Sequence, residues 1–321
     1  MFIIIFKKLY LKVFSSIILV VLFAYITVNS QTYKDVSPKR TYTIGYMKNL
    51  FNEVDFGDAQ AAIKVWVNEI VKTYHYSDGY NLKAKIYSQF DEVNEQKKQD
   101  SLAILALNTF DYLNNNTKIG LDPVLVPSAE GDVFGQYYIL VRKEDRYKNI
   151  TDLKGANLGL LTATNQIASR LWLDVTLAKI NITDKTKFFK NIIMEEKESQ
   201  LILNLFFGHI DACIVSTGAF SLMNELNPQV SSKIISIQVS PKYLWGLLCF
   251  TKTFINERDR SLFYTNAVHV HELISGKQLF SLIKIDKLVP FKNEYLNSYK
   301  DLVKEYIYLL KIKKIKENES I

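Results

Sequence analysis

The chain has 321 residues, enough for one large or two medium-sized domains with a substantial core. Hydrophobic residues make up 48% of the sequence, and no Pro-rich or Gly/Ser-rich stretch occurs, which excludes a mainly disordered chain. The formal net charge is +7, but Lys and Arg are interspersed with acids rather than gathered in a basic stripe, so a nucleic-acid-binding role is excluded.

The first 31 residues have the pattern of an export signal. A basic segment with Lys7, Lys8 and Lys12 is followed by a largely apolar run at 13–28 and then by the polar sequence "NSQ". The run is short for a membrane span, which needs about 20 residues. Residues 1–31 are therefore either a cleaved signal peptide or a retained N-terminal membrane anchor. Both alternatives predict a periplasmic or extracytoplasmic location for the rest of the chain.

Beyond the signal, strand-like apolar runs alternate with helical segments. The predicted strands cover 42–47, 81–88, 102–107, 122–128, 135–144, 157–161, 211–215, 232–240 and 244–252. The predicted helices include 58–75, 165–180 and a segment from Glu198, and the chain beyond 257 is mostly helical. This alternation predicts an α/β chain with mostly parallel sheets.

The cysteines and histidines give no sign of a metal or catalytic centre. Cys213 and Cys249 lie in apolar runs, where a disulfide and simple core packing are both consistent with the sequence. The four histidines have no metal-ligand spacing, and no Ser-His-Asp, Cys-His or phosphate-binding glycine-loop pattern occurs. The sequence predicts no cofactor, no metal and no catalytic residue, and hence a protein that is not an enzyme.

The segment "YYILVRKEDRYKNITDLKGANLGLL" (137–161) resembles part of the periplasmic substrate-binding proteins of ABC transporters. In their phosphate, phosphite and phosphonate-binding branch, a strand ending in an apolar-Val-Arg pattern precedes a "DLKG" turn and another strand. Three looser matches follow in the family's order, namely "IGYMKN" (44–49), "LAILALNTFDYL" (102–113) and "FFGHIDACIVST" (206–217). The resemblance covers about residues 41–305.

The resemblance implies a two-lobed fold, with a mostly parallel, helix-flanked sheet in each lobe and two crossing strands between the lobes. Lobe 1 would comprise 41–134 plus 243–310 and lobe 2 would comprise 136–240, followed by a charged tail at 311–321. The implied function is that of an exported, monomeric solute-binding protein. It would capture a small polar, oxyanion-bearing, phosphate- or phosphonate-like ligand between the lobes and deliver it to an ABC permease.

Two other functions remain open at this point. One is an extracytoplasmic sensing module that partners a membrane kinase, which a retained N-terminal anchor would suit. The other, less favoured, is an enzyme of similar fold, because the sequence has no arrangement of nucleophile and base.

The loop "TATNQIAS", with Thr162, Thr164 and Asn165, precedes the predicted helix 165–180. The resemblance implies that this helix start faces the ligand, since helix N-termini attract anions. The loop lacks the Ser/Thr-Gly run of phosphonate binders, and an ordinary helix cap is the alternative. The remaining candidate ligand-binding residues lie at strand ends, on a crossing strand or at helix starts: Tyr46, Phe110, Tyr112, Gln136, Tyr137, Glu198, Ser216 and Thr217.

Three of these candidates carry a specific reservation. Tyr46 could equally be a packed aromatic residue. Glu198 could simply favour a helix N-terminus, and a carboxylate there would suit a cationic or hydroxylated ligand better than an oxyanion. Tyr112 occupies a position that often packs on the following helix in the resembling family.

Overall fold

The computed structural model describes residues 39–319, except for 52–53, 77–78, 99–100, 163–166 and 253–254. The signal segment at 1–31 lies outside this range. Among the described residues, no helix is both long and apolar enough to cross a membrane.

A six-stranded sheet forms the centre of lobe 1. Its strands are β1 (Arg40–Met47), β2 (Tyr80–Tyr87), β3 (Leu102–Asn108), β4 (Leu121–Ser128), β12 (Gly246–Thr251) and β13 (Lys287–Pro290). Their order across the sheet is β13-β4-β12-β3-β1-β2, and apolar clusters cover both faces. The helices of this lobe are α1 (Phe56–Thr73), α2 (Phe90–Lys98), α3 (Thr109–Ile119), α9 (Glu257–Val268) and α10 (Ile274–Leu282).

A five-stranded sheet forms the centre of lobe 2. Its strands are β6 (Tyr137–Arg142), β7 (Asn157–Leu161), β8 (Asn191–Glu195), β9 (Ala212–Ser216) and β10 (Ile234–Val239). Their order across the sheet is β10-β6-β9-β7-β8. The helices are α4 (Ile167–Lys179), α5 (Lys185–Phe188), α6 (Glu198–Phe206), α7 (Thr217–Leu226) and α8 (Gln229–Lys233).

Most strands in each sheet run in the same direction, as predicted, but both sheets also contain reversed strands. In lobe 1, β1 is parallel to β2 and β3, whereas β12 is antiparallel to both β3 and β4. In lobe 2, β7 is parallel to β8 and β9, whereas β6 is antiparallel to β9 and β10. Strands β6 and β12 each follow a crossing, where the chain enters the lobe from the opposite direction, and β13, which is antiparallel to β4, runs in the same direction as β12.

The crossings form a two-stranded antiparallel ribbon of β5 (Phe134–Gly135) and β11 (Tyr243–Leu244). Gly135 is required there, because a Cβ at this position would lie 1.7 Å from the ring of Trp245. The side chain of Tyr137 packs edge-on against the same indole, with ring centroids 6.2 Å apart. The ribbon therefore holds Trp245 at the junction of the lobes.

The last helix, α11 (Asn297–Glu319), packs against a different lobe from the one expected from the sequence. Tyr299 and Leu302 are buried in the same apolar cluster as the residues of α4, and Lys179 pairs with Glu305 at 2.9 Å. The segment 297–310, expected in lobe 1, thus packs against lobe 2, because its apolar side chains complete the outer face of α4. Residues 311–319 of the expected tail continue the helix.

Residues from the segments that carry the resemblance contact one another in lobe 2 through hydrogen bonds and an ion pair. The guanidinium of Arg142 donates to the carbonyls of Leu205 (3.1 Å) and Ile210 (2.5 Å), on either side of the turn at Gly208, where φ is +79°. Asp211 accepts a hydrogen bond from the N–H of Asn157 at 2.7 Å and lies 3.7 Å from Arg142. These residues connect β6, β7 and β9, so their role is structural.

Candidate functional site

A cavity of about 960 Å³ lies between the lobes, and the starts of three helices line it. These are α3, which begins at Thr109, α4, which begins at Ile167, and α7, which begins at Thr217. The first N–H groups of a helix have no intrahelical partner, and the macrodipole places positive charge there. Three such ends around one cavity form an environment that favours an anion.

The start of α7 presents one amide to the cavity. The N–H of Thr217 donates to the Gln136 carbonyl (3.0 Å), and the N–H of Ala219 donates to the Ser216 hydroxyl (3.1 Å). Of the first three amides, this leaves the N–H of Gly218, which has no intrahelical partner because of its position. A Cβ at Gly218 would meet no atom within 4 Å, so the space beside this amide is open.

The start of α3 has the same arrangement. The N–H of Thr109 donates to the Trp245 carbonyl (3.2 Å), and the N–H of Asp111 donates to the side-chain oxygen of the N-cap, Asn108 (2.8 Å). The amide between them, that of Phe110, again has no intrahelical partner. Phe110 lines the cavity.

Both helix starts are attached to the junction of the lobes. Gln136 directly follows β5, and Trp245 directly follows β11. Their carbonyls accept the first amides of α7 and α3, respectively, and the hydroxyl of Thr109 also donates to the Leu244 carbonyl at 2.7 Å. Movement at the ribbon is thereby transmitted directly to two of the three helix starts.

The carboxylate of Glu198 stabilises the N-cap of α7. It accepts hydrogen bonds from both the N–H and the hydroxyl of Ser216, the latter at 2.8 Å. Glu198 is also the first residue of α6 and is only 7% exposed. A buried carboxylate needs such donors, so Glu198 holds Ser216 in place while both side chains line the cavity.

On the lobe 1 side, the carboxylate of Asp111 lies in the first turn of α3. It accepts hydrogen bonds from the side-chain amides of Asn49 and Asn108, each at 2.8 Å. Burial raises the pKa of Asp111, and the two amide donors partly oppose this rise. The network joins the end of β1 to the start of α3 and fixes the wall of the cavity on the lobe 1 side.

Most of the predicted site residues line this single cavity. They come from β1, α3, the crossing strand, α6 and α7: Tyr46, Phe110, Gln136, Tyr137, Glu198, Ser216 and Thr217. Tyr46 is also packed, as its alternative predicted, because its ring lies edge-on against Trp66 at 6.1 Å. Burial raises the pKa of the Tyr46 hydroxyl well above its ordinary value, so it remains protonated.

The other four predicted residues do not belong to the described lining. Tyr112 is buried in an apolar cluster of lobe 1, because it follows Phe110 by two positions and a helix turns such residues to different sides. Thr162 is half-buried at the end of β7, and its N–H donates to the Glu195 carbonyl at 2.9 Å. Thr164 and Asn165 lie outside the described residues.

Sequence reasoning overlooked Thr109 and Gly218. The signal for Thr109 was the sequence "NTFD", in which an Asn cap precedes an acid by three residues, a common pattern at helix starts. Gly218 stands in "STG", directly after the buried strand β9. The Ser/Thr-Gly run that the loop before α4 lacks thus occurs at the start of α7.

The two thiols do not belong to the described lining of the cavity. Cys213 and Cys249 are free and buried, one in each sheet, which answers the open question of their pairing. Burial raises the pKa of both thiols, so they are unreactive at neutral pH. Within the described part of the chain, no group of three or more His, Cys, Asp or Glu side chains is placed to hold a metal ion.

Comparison with known proteins identifies the family. Residues 58–295 match the family described as "ABC transporter, phosphonate, periplasmic substrate-binding protein". No curated protein sequence matches the chain.

Three solved structures share the fold. The binding-protein component of an ABC phosphonate transporter from Pseudomonas aeruginosa has a TM-score of 0.61 at 12% identity, over 84% of this chain and 88% of that one. PhnD1 from Prochlorococcus marinus, in complex with methylphosphonate, has a TM-score of 0.61 at 12% identity, over 83% and 98%. A Xanthomonas citri protein bound to chloride ion has a TM-score of 0.65 at 9% identity, over 85% and 99%.

These similarities confirm the predicted two-lobed α/β fold. The matched family consists of transport proteins rather than enzymes; its members bind a small molecule, act with a membrane permease and are periplasmic. Because the family match spans well over half of the chain, this protein belongs to the periplasmic substrate-binding proteins of phosphonate-type ABC transporters.

Proposed function

We propose that this protein captures a small oxyanion-bearing ligand of the phosphonate class between its lobes and presents it to an ABC permease. In this proposal the protein is a monomer and releases the ligand chemically unchanged. It also includes export by the segment 1–31, whether that segment is cleaved or retained. The mass of the mature protein distinguishes these two alternatives. A role in sensing with a membrane kinase remains a prediction that no feature of the cavity favours.

One observation supports the oxyanion most directly. The amides of Phe110 and Gly218, at the second positions of α3 and α7, lie on opposite lobes of one cavity and have no intrahelical partner. A tetrahedral oxyanion offers acceptors in several directions, so it can accept from both helix starts at once. Such a ligand favours the closed arrangement, because only closure brings both lobes into contact with it.

The hydroxyls of Thr109 and Thr217 do not contribute equally. The Thr109 hydroxyl already donates to the Leu244 carbonyl, whereas Thr217 is half-exposed at the cavity wall. We therefore assign Thr217 as a direct ligand donor and Thr109 as a positioning residue. Thr164 and Asn165 remain predicted contributors from the start of α4.

A thermal-shift measurement on the full chain tests the proposal. Methylphosphonate is expected to raise the melting temperature in a concentration-dependent way, because a ligand at 100 times its Kd stabilises the native state by about 2.7 kcal/mol. Dimethyl methylphosphonate, the uncharged diester, is the matched control and should give no shift. Stabilisation by a cation such as choline, with none by methylphosphonate, phosphate or a sulfonate, would contradict the proposal.

A further inference from the structure

The cavity continues beyond the helix starts into the interior of lobe 1. There it runs between the sheet and the helices α1, α9 and α10, and most of the side chains in its walls are apolar. We call this part the inner compartment; its walls include Ile44, Ile70, Leu82, Ile104, Phe263 and Leu279. A phosphonate as small as methylphosphonate would occupy only the space near the helix starts. Such a ligand has no group that would fill the inner compartment.

Strand β3 connects the two parts of the cavity. Successive side chains of a strand point to opposite faces, so Ile104, Ala106 and Asn108 share one face, and all three line the cavity. Asn108 caps α3 at the proposed oxyanion site, and Ile104 belongs to the inner compartment. At about 3.3 Å per residue, the four-residue step between them spans about 13 Å. Ala106 lies midway, and its small side chain leaves the passage open.

A buried polar group in the inner compartment lacks a partner. Trp66 lines the compartment and is 7% exposed, and its indole N–H is buried without a hydrogen-bond partner among the described residues. The adjacent ring of Tyr46 contacts the indole edge-on. A buried donor without an acceptor is costly, and an acceptor atom on a bound molecule would remove that cost. The compartment thus combines mainly apolar walls with one buried donor, the indole N–H of Trp66, that has no hydrogen-bond partner among the described residues.

We propose that the ligand is an organic oxyanion with an extended apolar substituent, such as a long-chain phosphonate, whose substituent passes Ala106 into the inner compartment. This inference rests on the proposed function, because the helix starts hold the oxyanion while lobe 1 holds the substituent. The two parts act independently: the helix starts recognise charge, and the inner compartment selects for chain length. An acceptor atom along the chain would pair with Trp66.

Titration calorimetry on the full chain with methyl-, propyl- and hexylphosphonate tests the inference. Each methylene that enters an apolar compartment is expected to tighten Kd about three- to fourfold, so hexylphosphonate should bind at least about 100-fold more tightly than methylphosphonate. Ala106→Leu narrows the passage and should reduce this ratio to below about 10. Ala61→Leu makes the same change on the exposed face of α1 and should preserve the ratio.

Intrinsic tryptophan emission supplies a second readout, which is measured first on the wild-type protein. Hexylphosphonate should change the tryptophan fluorescence of the wild type, and most of that change should be absent from Trp66→Phe. If methylphosphonate binds but hexylphosphonate binds no more tightly and leaves the emission unchanged, the inference is wrong while the proposed function stands. If neither phosphonate binds, the proposed function itself is contradicted.

Discussion

Gly218→Asp is expected to weaken methylphosphonate binding by about 100-fold. The new carboxylate would stand at the open start of α7, where a Cβ on residue 218 would meet no atom within 4 Å, so the change adds charge without a clash. Two like charges about 5 Å apart at an effective dielectric constant of about 20 repel by about 3 kcal/mol. Calorimetric Kd values for wild type and variant measure the loss.

Gly218→Asn is the matched control for this experiment, because it has the same shape without the charge. It should reduce affinity far less than Gly218→Asp. The Asp variant should also melt no lower than the Asn variant, since an acid at a helix N-terminus is favourable. Equal affinities of the two variants for methylphosphonate would show that α7 does not face the oxyanion.

Asp259→Ala is expected to lower the free energy of unfolding by about 3 kcal/mol. The Asp259 side chain is fully buried at the start of α9. It accepts hydrogen bonds from the hydroxyls of Tyr42 (2.5 Å) and Tyr80 (2.6 Å) and from Arg40 (2.7 Å). Removing the carboxylate takes away the acceptor that these two phenol hydroxyls share in lobe 1. Chemical denaturation measures the change.

Asp301→Ala is the control for this prediction, because Asp301 and its partner Lys304 are both about three-quarters exposed. Its effect should stay within about 0.5 kcal/mol. A comparable loss in both variants would show that the Asp259 network contributes no more to stability than a surface pair.

The Asp259 network also predicts a pH dependence. Burial alone would raise the pKa of Asp259, but the hydrogen bonds from Tyr42, Tyr80 and Arg40 outweigh it and hold the pKa below its ordinary value. A carboxyl with a lowered folded-state pKa contributes fully above its unfolded pKa of about 3.9 and loses that contribution as pH falls through the folded pKa. The stability gap between wild type and Asp259→Asn should therefore be constant above about pH 5 and shrink below about pH 4.

The parts of the fold that local sequence determines were predictable. Arg142, Gly208 and Asp211 belong to the segments that carry the resemblance, and in the structure they connect three strands of lobe 2. Strand direction was not predictable from local pattern, because β6 and β12 are reversed by the route of the chain through the crossings. The sequence also did not show that α11 packs against lobe 2, since the apolar face of a helix does not specify which surface it contacts.

Part of the candidate site was also predictable from the sequence. Residues at the end of β9 were found because a strand that ends in Ser216 and Thr217 leads directly into a helix. Tyr112 packs in the core of lobe 1 instead, because its offset of two residues from Phe110 turns it to a different side of α3. The inner compartment had no sequence signal at all, since Ile104 and Trp66 read as ordinary core residues.

The attachment of α11 has a consequence for how the lobes move. The chain leaves lobe 1 at Leu296, and the hydroxyl of Ser298 donates to the Lys242 carbonyl at 2.5 Å, so a third segment runs beside β5 and β11. Three neighbouring segments resist torsion more than two do, while still allowing the lobes to swing about one line. Capture then restricts a single rotation rather than several, and the entropy lost when the ligand is enclosed is correspondingly smaller.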